Sequence, residues 1–159
     1  MATPGVLNAA RRPGMMNTAP GAGLGWIMVK ALALFSGGLD SLLAIRVIQD
    51  QPVAVEAMHG VSLFTHYAAT ADGRLWPAVA AERLGVQLHL VETSRQILDT
   101  VNAPRHGFGS AANPCIDCRM AMLRRAAGMM EAIGASFLVT GEVVGQRPMS
   151  QRRFAIDLI

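Results

Sequence analysis

Six consecutive residues, Ser36-Gly37-Gly38-Leu39-Asp40-Ser41, place two adjacent glycines, two hydroxyls and a carboxylate directly after the apolar run Ala33-Leu34-Phe35. Paired glycines let the backbone turn tightly and approach an anion with no Cβ in the way. A helix beginning just beyond them offers unpaired N–H groups and the positive end of its dipole. Phosphate is the natural guest, with Gly37 and Gly38 giving access and Ser36 and Ser41 adding hydroxyl donors. Asp40 repels phosphate directly, so it suits Mg²⁺ held on a pyrophosphate, or bracing of the loop N–H groups. The competing reading is a plain strand-to-helix turn capped by Ser or Asp. No Gly-Lys-Ser/Thr follows, which disfavours a Walker A site and γ-phosphate transfer.

A second constellation is Asn113-Pro114-Cys115-Ile116-Asp117-Cys118. A spacing of three puts both sulfurs on one face of a first helical turn. That position lowers a thiol pKa, and Arg119 follows Cys115 by one turn. Cys115 is therefore the candidate thiolate, with Cys118 free to resolve a disulfide or share a metal. Three readings stay open: a buried structural pair, half of a zinc site near His106, or a sulfur-handling pair. No second Cys-x-x-Cys supports the zinc site.

A third stretch, Gly141-Glu142 through Gln146-Arg147-Pro148-Met149-Ser150-Gln151, joins amides and a guanidinium to a Pro-stiffened loop. Gln146, Arg147 and Ser150 suit contacts with phosphates or base edges, the competing reading being a solvated loop. Glu142 is equally placed for ribose, for magnesium or for plain surface. His59 and His66 follow a strand and receive no catalytic assignment. Met120, Met122, Met129 and Met130 read as helix packing.

The elements that must position these groups alternate. Val29–Phe35 reads as a buried parallel strand and Asp40–Gln49 as a helix, with Leu42, Leu43, Ile45 and Val47 at core-compatible positions. Val53–Met58 is a second strand; a helix near Ala68–Leu84, interrupted at Pro77, ends at Gly85. Val86–Val91 is a third strand, followed by a short helix near Ser94–Thr100 and a loop over Val101–Asn113 that looks functional. Asn113 as N-cap and Pro114 at the first position open a helix over Cys115–Ile133, ended by Gly134. Ala135–Thr140 is a fourth strand. The order βαβαβαβ implies an α/β domain, a mostly parallel sheet with helices on both faces, whose ligands gather beyond the carboxyl ends of the strands.

The 159 residues, 52% hydrophobic and 16% charged, suffice for one core. The net charge of +3 arises from Arg11, Arg12 and Lys30, since residues 31–159 carry eleven basic and eleven acidic side chains. The pI is thus no evidence for nucleic acid; affinity would need clusters such as Arg119/Arg124/Arg125 or Arg147/Arg152/Arg153. Two cysteines three apart point to a reducing, cytoplasmic compartment. The longest apolar run, broken by Lys30, is too short to span a bilayer. Residues 1–27 are expected to be a disordered or non-native extension, with Met28 directly before the first strand.

The string Ser36–Ser41 resembles the PP-loop of the adenine nucleotide alpha hydrolase (ATP pyrophosphatase) superfamily, and the resemblance implies a Rossmann-like fold and cleavage of ATP between the α and β phosphates. Together with Asn113–Cys118 and Gly141–Gln151, it is similar to the tRNA thiouridylase branch over about residues 29–159. This implies that a uridine carbonyl oxygen is adenylated, pyrophosphate leaves, and sulfur replaces the oxygen. The implied residues are Ser36, Gly37, Gly38, Asp40, Ser41 and Gly141 for ATP, and Asp40, Cys115 and Cys118 for catalysis. The implied cofactors and partners are ATP, Mg²⁺ at Asp40, tRNA and a sulfur-donor protein. Sulfur comes from a persulfide or from an iron–sulfur cluster at Cys115 and Cys118. Two departures stand out: the related enzymes place their second cysteine far downstream, and they have Gly-His where this chain has Gly141-Glu142. A PP-loop amide or ammonia ligase and a non-catalytic nucleotide-binding remnant remain alternatives. Residues 28–159 are expected to lack C-terminal parts of the enzyme, with apolar Phe154–Ile159 as an unfinished helix. Filter-binding should therefore show weak tRNA binding by the purified chain; tight, salt-sensitive binding by a monomer would contradict this.

Overall fold

The computed structural model of the chain describes residues 7–8, 29–63, 70–109, 113–146 and 150–159. Strands are β1 (Leu7–Asn8), β2 (Val29–Leu34), β3 (Val53–Val61), β4 (Gln87–Glu92) and β5 (Phe137–Thr140). Helices are α1 (Leu39–Gln49), α2 (Trp76–Leu84), α3 (Ser94–Asn102), α4 (Cys115–Ile133) and α5 (Arg153–Leu158). The sheet runs β1-β4-β3-β2-β5; β4, β3, β2 and β5 are parallel, and β1 pairs antiparallel with β4 through Leu7↔Leu90 and Asn8↔His89. That pairing is the part of 1–27 that is described.

Alternation along the strands splits the core in two. Ala31, Ala33, Ala57, Leu88 and Val139 face α1 and α2, meeting Leu42, Ile45 and Ile48 of the first and Ala80, Ala81 and Leu84 of the second. Leu32, Met58, Val91 and Leu138 face α4, meeting Met122, Ala126, Met129, Met130 and Ile133. The methionines of α4 pack as expected except that Met120 lies outside this cluster. Small residues on the first face let α1 sit close above the sheet, which brings its N-terminus to the end of β2.

Several expectations shift. Leu43 and Val47 do not reach the core: they are 53% and 62% exposed, because the helical period aligns them with Leu39, opposite Ile45. Pro77 starts α2 rather than interrupting it, its missing N–H falling where no intrahelical partner exists. Pro114, not Asn113, is the N-cap of α4, and it makes no side-chain capping bond. Gly85 and Gly134 close their helices in the left-handed region as expected. β3 runs on to Val61, which draws His59 into the sheet.

Beneath α4, three polar side chains form a ladder across β2, β3 and β4. Lys30 Nζ lies 2.8 Å from Glu56 Oε1, Glu56 Oε2 lies 2.6 Å from His89 Nε2, and Lys30 also donates to Ile133 O at 2.9 Å. Lys30 thereby satisfies a carbonyl at the C-terminus of α4, where the dipole favours a cation. Burial pushes the Glu56 carboxyl up, but hydrogen bonds and charge from Lys30 and His89 outweigh it and hold the group below its ordinary value. A depressed carboxylate stabilises the fold above its unfolded pKa, and that stabilisation fades as pH falls through the folded value. Glu56→Gln should therefore cost about 1–3 kcal/mol at neutral pH and flatten the acid limb of stability. Equal urea midpoints for the two proteins at pH 7 would show that the ladder is dispensable.

Candidate functional site

The turn from β2 into α1 is built on glycine for two separate reasons. Gly37 has φ +78°, and a Cβ there would lie 3.1 Å from Trp76 Cδ1 and 3.2 Å from Pro77 Cα. Gly38 is extended, with φ −82° and ψ 164°, and a Cβ would meet only Ser36 Oγ at 3.3 Å. Gly37 is thus required by the fold, whereas Gly38 leaves open space on its outer side. The hydroxyls knit the turn together: Ser41 Oγ donates to Gly38 O at 2.9 Å, Ser36 and Ser41 Oγ atoms lie 3.2 Å apart, and Gly38 N–H donates to Ser36 Oγ at 3.2 Å. No side chain caps α1, so its first N–H groups stay available to an anion.

Gly141, just after β5, meets this turn from the neighbouring strand. A Cβ on it would lie 2.6 Å from Asp40 C and Ser41 N. Backbone therefore touches backbone at the start of α1, and no side chain fits between.

A cleft of about 400 Å³ opens above this contact, walled by Ser36, Gly38, Asp40, Ser41 and Gly141, with His59, Arg119, Glu142 and Gln151 opposite or beside them. Arg119 reaches in from α4 and pairs with Glu142 at 2.8 Å, while its Nε–H has no partner among the described residues. Gln151 is nine-tenths buried, and its Oε1 likewise lacks one. His59 Nδ1 lies 2.6 Å from Phe35 O, a carbonyl, so the ring nitrogen donates. Burial pulls the His59 pKa down against the effect of that bond and favours the neutral ring. The cleft thus offers helix N–H groups, one guanidinium and an amide, a donor set matched to an anionic, hydrogen-bonding ligand.

Cys115 and Cys118 are free thiols, both half-buried, in the first turn of α4. They do not line the cleft, although Arg119 and Met122 of the same helix do. Burial and the neighbouring Cys115 push the Cys118 thiol up, and Arg119 only partly offsets them. The helix-start argument thus fails for Cys118, where desolvation wins. Asp117, between the two, accepts from His106 N–H at 2.8 Å and from His106 Nδ1 at 2.7 Å, docking the preceding loop onto this turn.

A family model described as thiamine biosynthesis protein (ThiI) matches residues 27–153. The chain belongs to this family. A "Probable tRNA sulfurtransferase" of Staphylococcus aureus (strain Newman) is 34% identical over 122 residues, covering 74% of this chain and 28% of that protein. The chain spans less than a third of such relatives. Among solved structures, a 4-thiouridine synthetase–RNA complex with bound ATP superposes with a TM-score of 0.60 at 24% identity, covering 80% of this chain and 33% of that one. A predicted subunit of tRNA methyltransferase from Methanocaldococcus jannaschii superposes with 0.53 at 16%, covering 82% and 62%. Both likenesses show the fold alone, the parallel α/β sheet that the sequence pattern implies.

For this ThiI-family chain, metal-binding capacity is a matter of donor sets. Asp40 on the cleft wall fits Mg²⁺, which binds through one or two carboxylates and takes its other ligands from phosphates and water. Cys115 and Cys118 are the only cysteines in the sequence, and no group of three or more His, Cys, Asp or Glu able to hold a metal occurs among the described residues. Alone they do not fit an iron–sulfur cluster or a closed zinc site. No helix of the described residues is long and apolar enough to cross a membrane.

Of the loop candidates, Gln146 is exposed and Ser150 half-buried, neither on the cleft wall; Arg147 and His66 lie outside the described residues. Gln151 and Arg119, which line this cleft, were not assigned to it, nor was Trp76 assigned to the Gly37 turn. A signal existed for Gln151, which closes the same motif; Trp76 gave none, since only the fold carries it to Gly37. The two glycine contacts differ in kind, and so do the expected variants. Gly141→Ala should lower stability by about 1–3 kcal/mol through overpacking, while Gly38→Ala should leave the thermal midpoint nearly unchanged. Matching midpoints for the two variants would refute the backbone contact.

Proposed function

We propose that the chain is the ATP-binding and adenylating domain of a tRNA sulfurtransferase. The reading rests above all on one observation: the uncapped start of α1, Ser36, Ser41 and the guanidinium of Arg119 face a single cleft. The N–H groups of α1 and the two hydroxyls hold the pyrophosphate portion, and Arg119 neutralises charge growing at the α-phosphate. Glu142 keeps the guanidinium in place. Gln151 supplies a donor and an acceptor to the bound nucleotide. Mg²⁺ held at Asp40 would neutralise the leaving pyrophosphate.

The acceptor is a uridine of tRNA, whose carbonyl oxygen attacks the α-phosphorus and displaces pyrophosphate. A Cys115 persulfide, charged by a sulfur-donor protein, then attacks the activated carbon through its terminal sulfur, and AMP leaves with the original oxygen. Attack of the Cys118 thiolate on the Cys115 sulfur releases the thiouridine and leaves a Cys115–Cys118 disulfide, which a thiol reductant resets. Cys118, raised in pKa, acts second. Residues 28–159 form the nucleotide domain, with tRNA-holding parts supplied from beyond it.

Gly38→Val should abolish ATP binding and leave the fold intact, because the extended backbone at Gly38 accepts a side chain but the phosphates do not. Unchanged affinity for ATP rejects the phosphate-loop assignment. Cys115→Ser should bind ATP normally yet lose thiolation in the complete enzyme, read by mass spectrometry of tRNA nucleosides from cells carrying each version. Full thiolation by that variant removes Cys115 from the reaction.

A further inference from the structure

The peptide joining Gly37 to Gly38 is flanked by residues without a Cβ, so their own side chains do not fix its orientation. Rotated one way, it offers an N–H to a bound anion; rotated the other way, it aims a carbonyl dipole at the same charge. Both of its ends are pinned. The indole Nε1–H of Trp76 donates to Gly37 O at 2.9 Å, and Gly38 N–H donates to Ser36 Oγ at 3.2 Å. In a trans peptide the C=O and N–H point in opposite directions, so holding one fixes the other.

Trp76 is itself held. It opens α2, its ring stacks under Arg83 with the guanidinium carbon 5.4 Å from the ring centroid, and its Cδ1 fills the space where a Cβ on Gly37 would lie, 3.1 Å away. Gly37 at φ +78° fits against it because the glycine has no side chain.

We infer that Trp76 is a positioning residue for the phosphate loop, its indole N–H latching the Gly37 carbonyl away from the anion so that Gly38 N–H faces it. The inference rests on the nucleotide reading given above. On binding, the peptide keeps its orientation: the indole bond persists, and a phosphate oxygen comes to share Gly38 N–H with Ser36 Oγ. The latch acts on phosphates and not on the nucleoside.

The test isolates one hydrogen. In a Trp26→Phe background Trp76 is the sole tryptophan, since the sequence holds two. ATP and inorganic pyrophosphate should each shift its emission. Replacing it with 3-benzothienylalanine, which keeps the ring shape but lacks the N–H, should weaken ATP and pyrophosphate roughly three- to tenfold, because the freed peptide turns its carbonyl toward the anion. Adenosine affinity should not move, and the unfolding midpoint should fall by no more than the worth of that one bond. Trp76→Phe should weaken the two phosphate ligands at least as much, with any drop in its midpoint scored as lost ring packing. If the parent chain binds ATP and the benzothienyl protein binds it equally well, the latch is wrong and the nucleotide site stands. If the parent binds neither ATP nor pyrophosphate, the nucleotide reading itself falls.

Discussion

Everything in the cleft depends on the contact between Gly141 and the Asp40–Ser41 peptide. β5 lies on one side of β2 and β3 on the other, so the chain leaves β2 toward α1 and returns on the opposite flank. This reversal is the switch point of a parallel sheet, where the loops diverge and a crevice opens. The backbone contact fixes how far it opens. With Gly141 against the first turn of α1, the segment after β5 runs directly over the helix start, carrying Glu142 and Gln151 to the cleft wall. A side chain at 141 would push this segment off the very N–H groups that it helps to enclose.

The second determinant is the unequal covering of the two sheet faces. Alanines on the face toward α1 and α2 let those helices lie close, which draws the tip of α2, with Trp76, onto the Gly37 turn. The opposite face meets α4 through methionines, whose unbranched chains fill an irregular gap while holding the helix over β2 and β5. The ladder of Lys30, Glu56 and His89 lies on this same face, and Lys30 reaches from it to the last carbonyl of α4. The site is thus positioned by packing far from it.

Local chemistry was legible in the sequence, and long-range geometry was not. Ser36–Ser41 announced a tight turn into an open helix start because each residue type has a task set by its immediate neighbours. The strands and the helix ends at Gly85 and Gly134 followed from periodicity and glycine conformation. Leu43 and Val47 were misplaced because apolarity alone does not tell a core face from an exposed stripe, and α1 has three large apolar residues on its outer side. The upward push on the Cys118 thiol was not legible, because it comes from burial, which the sequence does not give. Gln146 and Gln151 share one motif and one chemistry, yet only the path of the loop decides which amide reaches the cleft.

One helix carries both the thiols and a residue of the cleft wall. Cys115 and Arg119 are one helical turn apart, about 6 Å along the axis at the usual rise. The cysteines stay off the cleft wall, but they share with Arg119 a helix that is fixed at its far end by Lys30 and along its length by the sheet. The near end has no side-chain cap; instead Asp117 is tied to His106, so the preceding loop braces the cysteine turn. The Arg119–Glu142 pair is then a joint between the sulfur-bearing helix and the segment after β5. Cys115, Cys118 and Arg119 are thus carried by one packed helix, and the distance from the thiols to the cleft wall is set by that helix and by the Arg119–Glu142 pair.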